Sequence, residues 1–372
     1  MKILVTGGAG FIGSHLVRRL VQDGHQVRVM DALVSQVHGD NADWPSHLPD
    51  GIDLIRGDTQ DATCWDRALS GTEMVYHLAA EVGVGQSMYE IVRYMQANTL
   101  GTSIFLERLI SGRYPVKKVV VASSMSIYGE GSYQCPVCGI ASPPVRSDSQ
   151  LETRHWELVC SACRSDLIPL PTAEDKPLQP TSVYAISKRD QEELCLSVGR
   201  AYGIPTVALR FFNVFGPGQA LSNPYTGVAA IFSSRLLNGQ QPLVYEDGRQ
   251  SRDFIHVRDL VEGLVLAGKC DAADYQAINL GSGVSRTINE VAEALADALG
   301  VDLPPRIVDK YRAGDIRHCF ADISLARSLL GFCPRVDFQN GIQELVAWVR
   351  SQEATDRVVE AQHELERRGL AR

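Results

Sequence analysis

Met1-Lys-Ile-Leu-Val-Thr-Gly-Gly-Ala-Gly-Phe-Ile-Gly13 is the stretch whose reading decides the fold. Ile3-Leu-Val5 is a short apolar run, the pattern of a buried parallel strand. Gly7, Gly8, Gly10 and Gly13 follow at once, and His15-Leu16-Val17-Arg18-Arg19-Leu20-Val21 then carries apolar residues at helical spacing. Strand, glycine turn and helix in that order form the setting of a dinucleotide fingerprint. Glycines let the backbone approach a pyrophosphate, and free N–H groups at the helix start hold its charge. Gly7, Gly10, Phe11, Ile12 and Gly13 are therefore the candidate cofactor residues of this turn. A second apolar run, Val27-Arg-Val-Met30, ends in Asp31, 18 residues past Gly13. A carboxylate there accepts both hydroxyls of an adenosine ribose. It also repels a 2′-phosphate, and Ala32-Leu-Val34 offers no arginine to accept one, so the expected cofactor is NAD. The alternative is a tight turn that holds no ligand.

Tyr184 and Lys188 form a second signal, four residues apart. Tyr-x-x-x-Lys is weak alone, and Tyr114 with Lys118 matches it too. Pro115 disfavours a helical Tyr114, and Lys118 runs into the apolar Val119-Val-Val121. By contrast, Ser182 to Glu193 reads as a helix, and one turn sets Tyr184 beside Lys188. An ammonium there lowers the phenol pKa, with help from a nicotinamide cation and partial burial.

The chain has 372 residues, enough for a large core and two lobes, and a formal net charge of −8 that argues against nucleic acid and anionic membrane as partners. No apolar stretch is long enough to span a bilayer, and no signal peptide precedes the first strand. A cytoplasmic location with reduced or metal-bound cysteines is the expectation. Apolar runs at 2–5, 26–30, 53–56, 74–77, 118–122 and 206–210 predict strands, alternating with helices. The expected fold class is α/β: a Rossmann, doubly wound parallel sheet with a smaller C-terminal substrate lobe. Two helices are predicted over 90–98 and 102–110, and an amphipathic one over 288–299. The expected division is a Rossmann domain over 1–212, to which 254–281 returns, and a mainly substrate-binding lobe over 213–351. The heavily charged 352–372 reads as a solvated or frayed helix.

Residues 130–175 interrupt the alternation. Cys135-Pro-Val-Cys138-Gly139 and Cys160-Ser-Ala-Cys163 are two Cys-x-x-Cys knuckles with 21 residues between them. Cys135, Cys138, Cys160 and Cys163 predict a structural, zinc-ribbon-like tetrahedral zinc site. A labile disulfide pair and a vestigial site remain as alternatives. His155 lies between the knuckles and is expected at the surface, because four thiolates complete the shell. The other five cysteines, Cys64, Cys195, Cys270, Cys319 and Cys333, are expected to be small core residues.

These motifs resemble a known family, the extended short-chain dehydrogenase/reductases that act on nucleotide sugars. The resemblance rests on Thr6-Gly-Gly-Ala-Gly-Phe-Ile-Gly13, Gly57-Asp58, His77-Leu-Ala-Ala80, Asn98-Thr-Leu-Gly-Thr102 and Ser123-Ser-Met-Ser-Ile-Tyr-Gly129. It continues through Tyr184-x-x-x-Lys188, Arg210-Phe-Phe-Asn213-Val-Phe-Gly-Pro217, Gly248 to Asp259, Asn279-Leu-Gly-Ser-Gly283 and Arg312-Ala-Gly-Asp315. It implies that Asp58 contacts adenine, that Leu78, Ala79, Ala80 and Asn98 belong to the NAD cleft, and that Lys188 holds the nicotinamide ribose. It implies Tyr184 as the base, with Ser124 on the reacting hydroxyl and Ser126 beside it. Asn213, Arg252 and Arg312 would meet the sugar nucleotide's diphosphate and nearby groups, and paired guanidiniums suit a diphosphate. For Asn213 a turn-capping role is the alternative.

The family's 4,6-dehydratases resemble Thr-Asp-Glu where this chain has Ser124-Met125-Ser126. Without that carboxylate pair the implied activity is 4-epimerisation: reversible hydride transfer at C4 through a 4-keto sugar, with no net redox. The cysteine insertion and Gln219 to Gly227 resemble the bacterial branch acting on dTDP-L-rhamnose; a UDP-hexose or UDP-uronate stays open as the alternative. The implied partners are a nucleotide-diphosphate sugar and a second copy of the chain, a homodimer through the Tyr184 helix. A non-catalytic NAD-bound scaffold is the contrasting reading. Against RNA as its ligand, residues 130–175 hold seven acids and three arginines.

Overall fold

The computed structural model describes residues 1–39, 43–112 and 114–372. Seven strands form one parallel sheet. Across it the order is Ala277–Leu280, Thr206–Phe211, Lys118–Ser124, Met74–His77, Lys2–Thr6, Gln26–Asp31 and Asp53–Arg56. Lys2–Thr6 pairs with Gln26–Asp31 on one side and Met74–His77 on the other, so the strand order reverses there. In an open α/β sheet the ligand crevice lies beyond the strand ends at such a reversal.

The sheet is covered on both faces, so its strands read as unbroken apolar runs rather than alternating ones. One face packs Leu16, Val17 and Leu20 of the helix Phe11–Gln22 against Leu260 and Leu264 of Val257–Lys269. The other packs Trp65, Phe105, Leu109 and Cys195. Each such side chain contributes about 1.5–3 kcal/mol on burial.

After Phe211 the chain builds a second lobe around Phe215, Phe232, Val291, Leu295, Ile342 and Val346, carried largely by the helices Val228–Leu237, Ile288–Leu299 and Phe338–Val349. It rejoins the sheet through Val257–Lys269 and the edge strand Ala277–Leu280. Thr287 and Glu290 close a capping box at the start of Ile288–Leu299.

Three sequence expectations need correction. The segment predicted as two helices is one continuous run: Ile91–Tyr94, a π-helical Met95–Leu100, and Gly101–Ile110. The C-terminal tail is not frayed. Its helix Val358–Arg367 buries Ala361 and Leu365, the latter beside Gly85, and the chain end pairs with Tyr311 and Ala313. Of the five remaining cysteines, Cys64, Cys195 and Cys319 are buried, but Cys270 is half-buried and Cys333 exposed. No helix among the described residues is long and apolar enough to cross a membrane.

Candidate active site

A cleft of about 1110 Å³ runs along the strand ends at the reversal point. Gly7, Gly10, Phe11, Ile12 and Gly13 line it, with Asp31, Asp58, Leu78, Ala79, Ala80, Ser124, Tyr184 and Lys188. The glycine turn is tight enough to need glycine. Gly7 has φ +67°, and a Cβ on Gly13 would lie 2.1 Å from the Gly7 carbonyl oxygen. The Asp31 carboxylate accepts from the Ala9 amide at 3.0 Å and the Leu33 amide at 2.9 Å, so it braces the turn it faces.

Asn98 is the cofactor candidate that does not reach the wall. It is fully buried, accepting from the Glu81 amide at 2.7 Å and donating to the Ser187 hydroxyl at 2.9 Å. Its side chain ties the loop after Ala80 to the Tyr184 helix.

That helix, Val183–Tyr202, starts at Ser182, whose hydroxyl accepts from the Ala185 amide, and ends at Gly203 in the left-handed region. Its position against the sheet is held by Arg210, which donates to both carboxylate oxygens of buried Glu192 and, at 2.7 Å, to the Tyr128 hydroxyl. Ser124 is the last residue of its strand and accepts from the Ser126 hydroxyl at 2.9 Å.

The electrostatics differ from the sequence expectation. Burial raises the Tyr184 phenol pKa, and the Ser124 hydroxyl beside it works the other way. Lys188 donates to the Ala122 carbonyl oxygen and, at 2.7 Å, to Gln191 Oε1, and burial lowers its pKa to about 7. The ammonium is thus bound to the strand and to Gln191 rather than to the phenol. Gln191 continues a buried chain through Thr102 and His77 to Thr6 at the glycine turn.

A second cavity of about 310 Å³ adjoins the first, sharing Tyr225, Thr226 and Gly227 with it. Ser126, Asn213, Arg252 and Arg312 line this one. Arg252 donates to the carbonyl oxygens of Ser251, Arg317 and Ile316. Arg312 lies over the Tyr245 ring at 4.6 Å and donates to Asp315 at 2.7 Å. Four buried polar atoms along the two cavities have no partner: Ser123 Oγ, Asn213 Oδ1, Gln219 Oε1 and Gln250 Oε1. A turn-capping asparagine would have spent its side chain on local backbone. Buried atoms left without partners cost free energy unless a ligand satisfies them.

Sequence reasoning missed Tyr225 as the residue at the junction and missed the tail helix, whose Val358, Ala361, Gln362 and Leu365 close the second cavity. The signal for the tail was present: 358, 361 and 365 share one helical face.

In the insertion, Ser132–Cys135 lies between Gly139–Ala141 and Ile168–Leu170 in an antiparallel sheet. The two knuckles converge: the four sulfurs of Cys135, Cys138, Cys160 and Cys163 all lie within 4.8 Å of one another. Beneath them Tyr133, Leu158 and Leu167 form a small core. His155 stays at the surface, near Asp166.

The model of the NAD dependent epimerase/dehydratase family matches residues 3–149 and 159–281. A curated dTDP-L-rhamnose 4-epimerase of Burkholderia thailandensis is 35% identical over 351 residues, 94% of each chain. A solved UDP-glucose 4-epimerase of Thermotoga maritima, in complex with UDP-glucose, is 31% identical with a TM-score of 0.76, covering 94% of this chain and 99% of its own. A Thermus thermophilus UDP-glucose 4-epimerase in complex with NAD is 30% identical with a TM-score of 0.73, covering 95% and 100%.

Proposed function

Because the chain belongs to the NAD dependent epimerase/dehydratase family, whose nucleotide-sugar 4-epimerases it resembles over nearly its whole length, we propose that it interconverts the C4 epimers of a dTDP-sugar, dTDP-L-rhamnose foremost. The observation that carries the reaction type is the meeting of Ser124, Tyr184 and Lys188 beside a sugar-sized cavity whose only carboxylates, among the described residues, are already neutralised. Those are Glu246, held by Arg146 and Arg317, and Asp315, held by Arg312. Elimination of water needs a free acid and base near C5 and C6; an epimerase does not.

In this reading the glycine turn and Asp31 hold NAD, whose bound form supplies a reversible acceptor for the C4 hydrogen and its electron pair. Tyr184 takes the proton of the C4 hydroxyl and later returns it. Ser124 hydrogen-bonds the same oxygen. Lys188 holds the nicotinamide ribose. Between the two proton transfers the sugar must present its other face, and the second cavity gives it room. Arg252 and Arg312 hold the diphosphate end, and the orphaned Asn213 oxygen accepts from a hydroxyl or N–H of the same ligand. The exposed apolar Ile91, Val92, Leu100 and Ile186 on the paired helices support a homodimer there. The four converging thiols support a structural zinc.

The Burkholderia relative supports the dTDP-rhamnose substrate; the Thermotoga neighbour favours a UDP-hexose as the second reading. An NMR assay over dTDP-L-rhamnose, UDP-glucose and UDP-glucuronate decides. The expected result is turnover of dTDP-L-rhamnose to its C4 epimer with C6 unchanged. Turnover of UDP-sugars alone rejects the nucleobase, and a 4-keto-6-deoxy product from a 6-hydroxy sugar rejects the epimerase.

Cofactor choice gives a separate prediction. Calorimetry should find NAD bound about tenfold or more tighter than NADP, since Asp31 would face the added phosphate charge. Equal affinities, or tighter NADP, would remove Asp31 from the ribose.

A further inference from the structure

The insertion reaches the substrate cavity through charge. Its Arg146 donates to both oxygens of Glu246, at 3.0 and 2.8 Å, and to the Asp315 carbonyl oxygen at 3.3 Å. Its Glu157 accepts from Arg317 Nε at 3.0 Å and lies 3.0 Å from His318 Nε2. Glu130, at the root of the insertion, accepts the backbone amides of Arg317, at 2.8 Å, and His318, at 3.3 Å. Arg317 is itself fully buried and also donates to Glu246 at 2.9 Å and Asp247 at 2.7 Å.

Residues 315–317 are therefore held from the insertion side by three groups. On the cavity side the same segment does something else. The carbonyl oxygens of Ile316 and Arg317 accept from Arg252 at 2.6 and 2.8 Å, and Asp315 accepts from Arg312. Three of the five Arg252 donors are spent on backbone carbonyls, which fixes the plane of the guanidinium and aims the other two.

We propose that the four-cysteine insertion is a positioning element for substrate binding: Glu130, Arg146 and Glu157 hold residues 315–317, and that segment orients Arg252 and Arg312 toward an anionic diphosphate. The inference deepens the function proposed above and rests on it for the identity of the anion. It makes Glu157 and Arg146 positioning residues that touch neither substrate nor cofactor. A buried, well-bonded ion network is a weak source of net stability but a strong constraint on geometry, and removing one partner leaves another charge uncompensated.

Glu157 is the residue to change, since its side chain is partly exposed and the fold tolerates its loss better than that of Arg317. Glu157→Gln and Glu157→Ala in the full, metal-loaded chain should weaken binding of dTDP and UDP, measured by calorimetry, by about five- to tenfold. KM for the sugar nucleotide should rise in step, kcat should stay within about twofold, and NAD affinity should not change. Glu152→Gln, an exposed acid of the same insertion, is the control and should match wild type. In an Arg252→Ala background the Glu157→Ala effect should shrink, because only the route through Asp315 and Arg312 is left. Additive losses, or unchanged nucleotide affinity, would overturn the linkage. Hydrogen exchange over 312–318 gives a reading independent of any ligand: Glu157→Ala should speed it at the Arg317 and His318 amides, and unchanged exchange would overturn the proposal. A wild-type chain that binds neither nucleotide would instead refute the substrate class, leaving the exchange result to judge the linkage.

Discussion

Tyr184→Phe is expected to lower kcat by about two to four orders of magnitude while NAD affinity and fold stay as in wild type. The ring is half-buried, edge-on to Tyr94 at 6.4 Å, and the Tyr184 amide is held by Ser87, so phenylalanine keeps the packing and loses only the hydroxyl. Lys188 is bonded to Ala122 and Gln191, so it does not move when the phenol goes. Burial raises the phenol pKa, and Lys188, lowered to about 7, donates to Ala122 and Gln191 rather than to the phenol, so protein groups alone do not favour the phenolate. The positive charge of a bound nicotinamide must favour the phenolate, and removing the hydroxyl leaves no substitute within the site. Ser124→Ala should cost less, because it deletes one hydrogen bond and not the proton acceptor. Turnover by sugar-nucleotide NMR and NAD calorimetry check both. Near-wild-type turnover of Tyr184→Phe would remove Tyr184 from the chemistry.

The glycine turn and its acid were legible because they are local: strand, turn, helix and acid follow within the first 31 residues, and nothing distant decides them. The π-helical Met95–Leu100 was not. A π turn holds more residues than an α turn, so the apolar period slips there and one helix reads as two. The tail was misread because its charges dominate its composition. Those charges are spent outward: Glu364 on Arg367 and Arg368, Glu366 on Lys310. The apolar face turned to the cavity holds only a few residues. Asn98 was placed at the cofactor by motif, yet an asparagine in the right motif can serve the scaffold, and only its two buried partners reveal that. The ion network is the least legible of all. Arg317 meets Glu157 and Glu246 across 160 and 71 residues of chain, and no local pattern announces such pairs.

Removal of the proposed zinc should have the other large effect, on the insertion and not on the sheet. The four sulfurs lie within 4.8 Å of one another, and a tetrahedral zinc with bonds of about 2.3 Å sets sulfurs about 3.8 Å apart, so the cluster needs only a small adjustment to close on the ion. Four thiolates would leave no open position to activate water, so the proposed zinc would be structural. The insertion's own core is Tyr133, Leu158 and Leu167 with two of the cysteines, too little to order some forty residues unaided. Metal affinity there is folding free energy, of about 10 kcal/mol or more in small zinc modules. The central sheet has its own cores on both faces and does not depend on it. One zinc per chain is expected in protein purified under reducing conditions. Cys135→Ser combined with Cys138→Ser should abolish it, open 136–165 to proteolysis and raise KM for the sugar nucleotide by about tenfold or more, with NAD affinity unchanged. The KM effect follows from Arg146 and Glu157, which lie on the segments the metal staples and cannot hold residues 315–317 once those segments melt. Zinc-free protein with an ordered insertion, or a double variant with wild-type proteolysis and kinetics, would rule the zinc staple out.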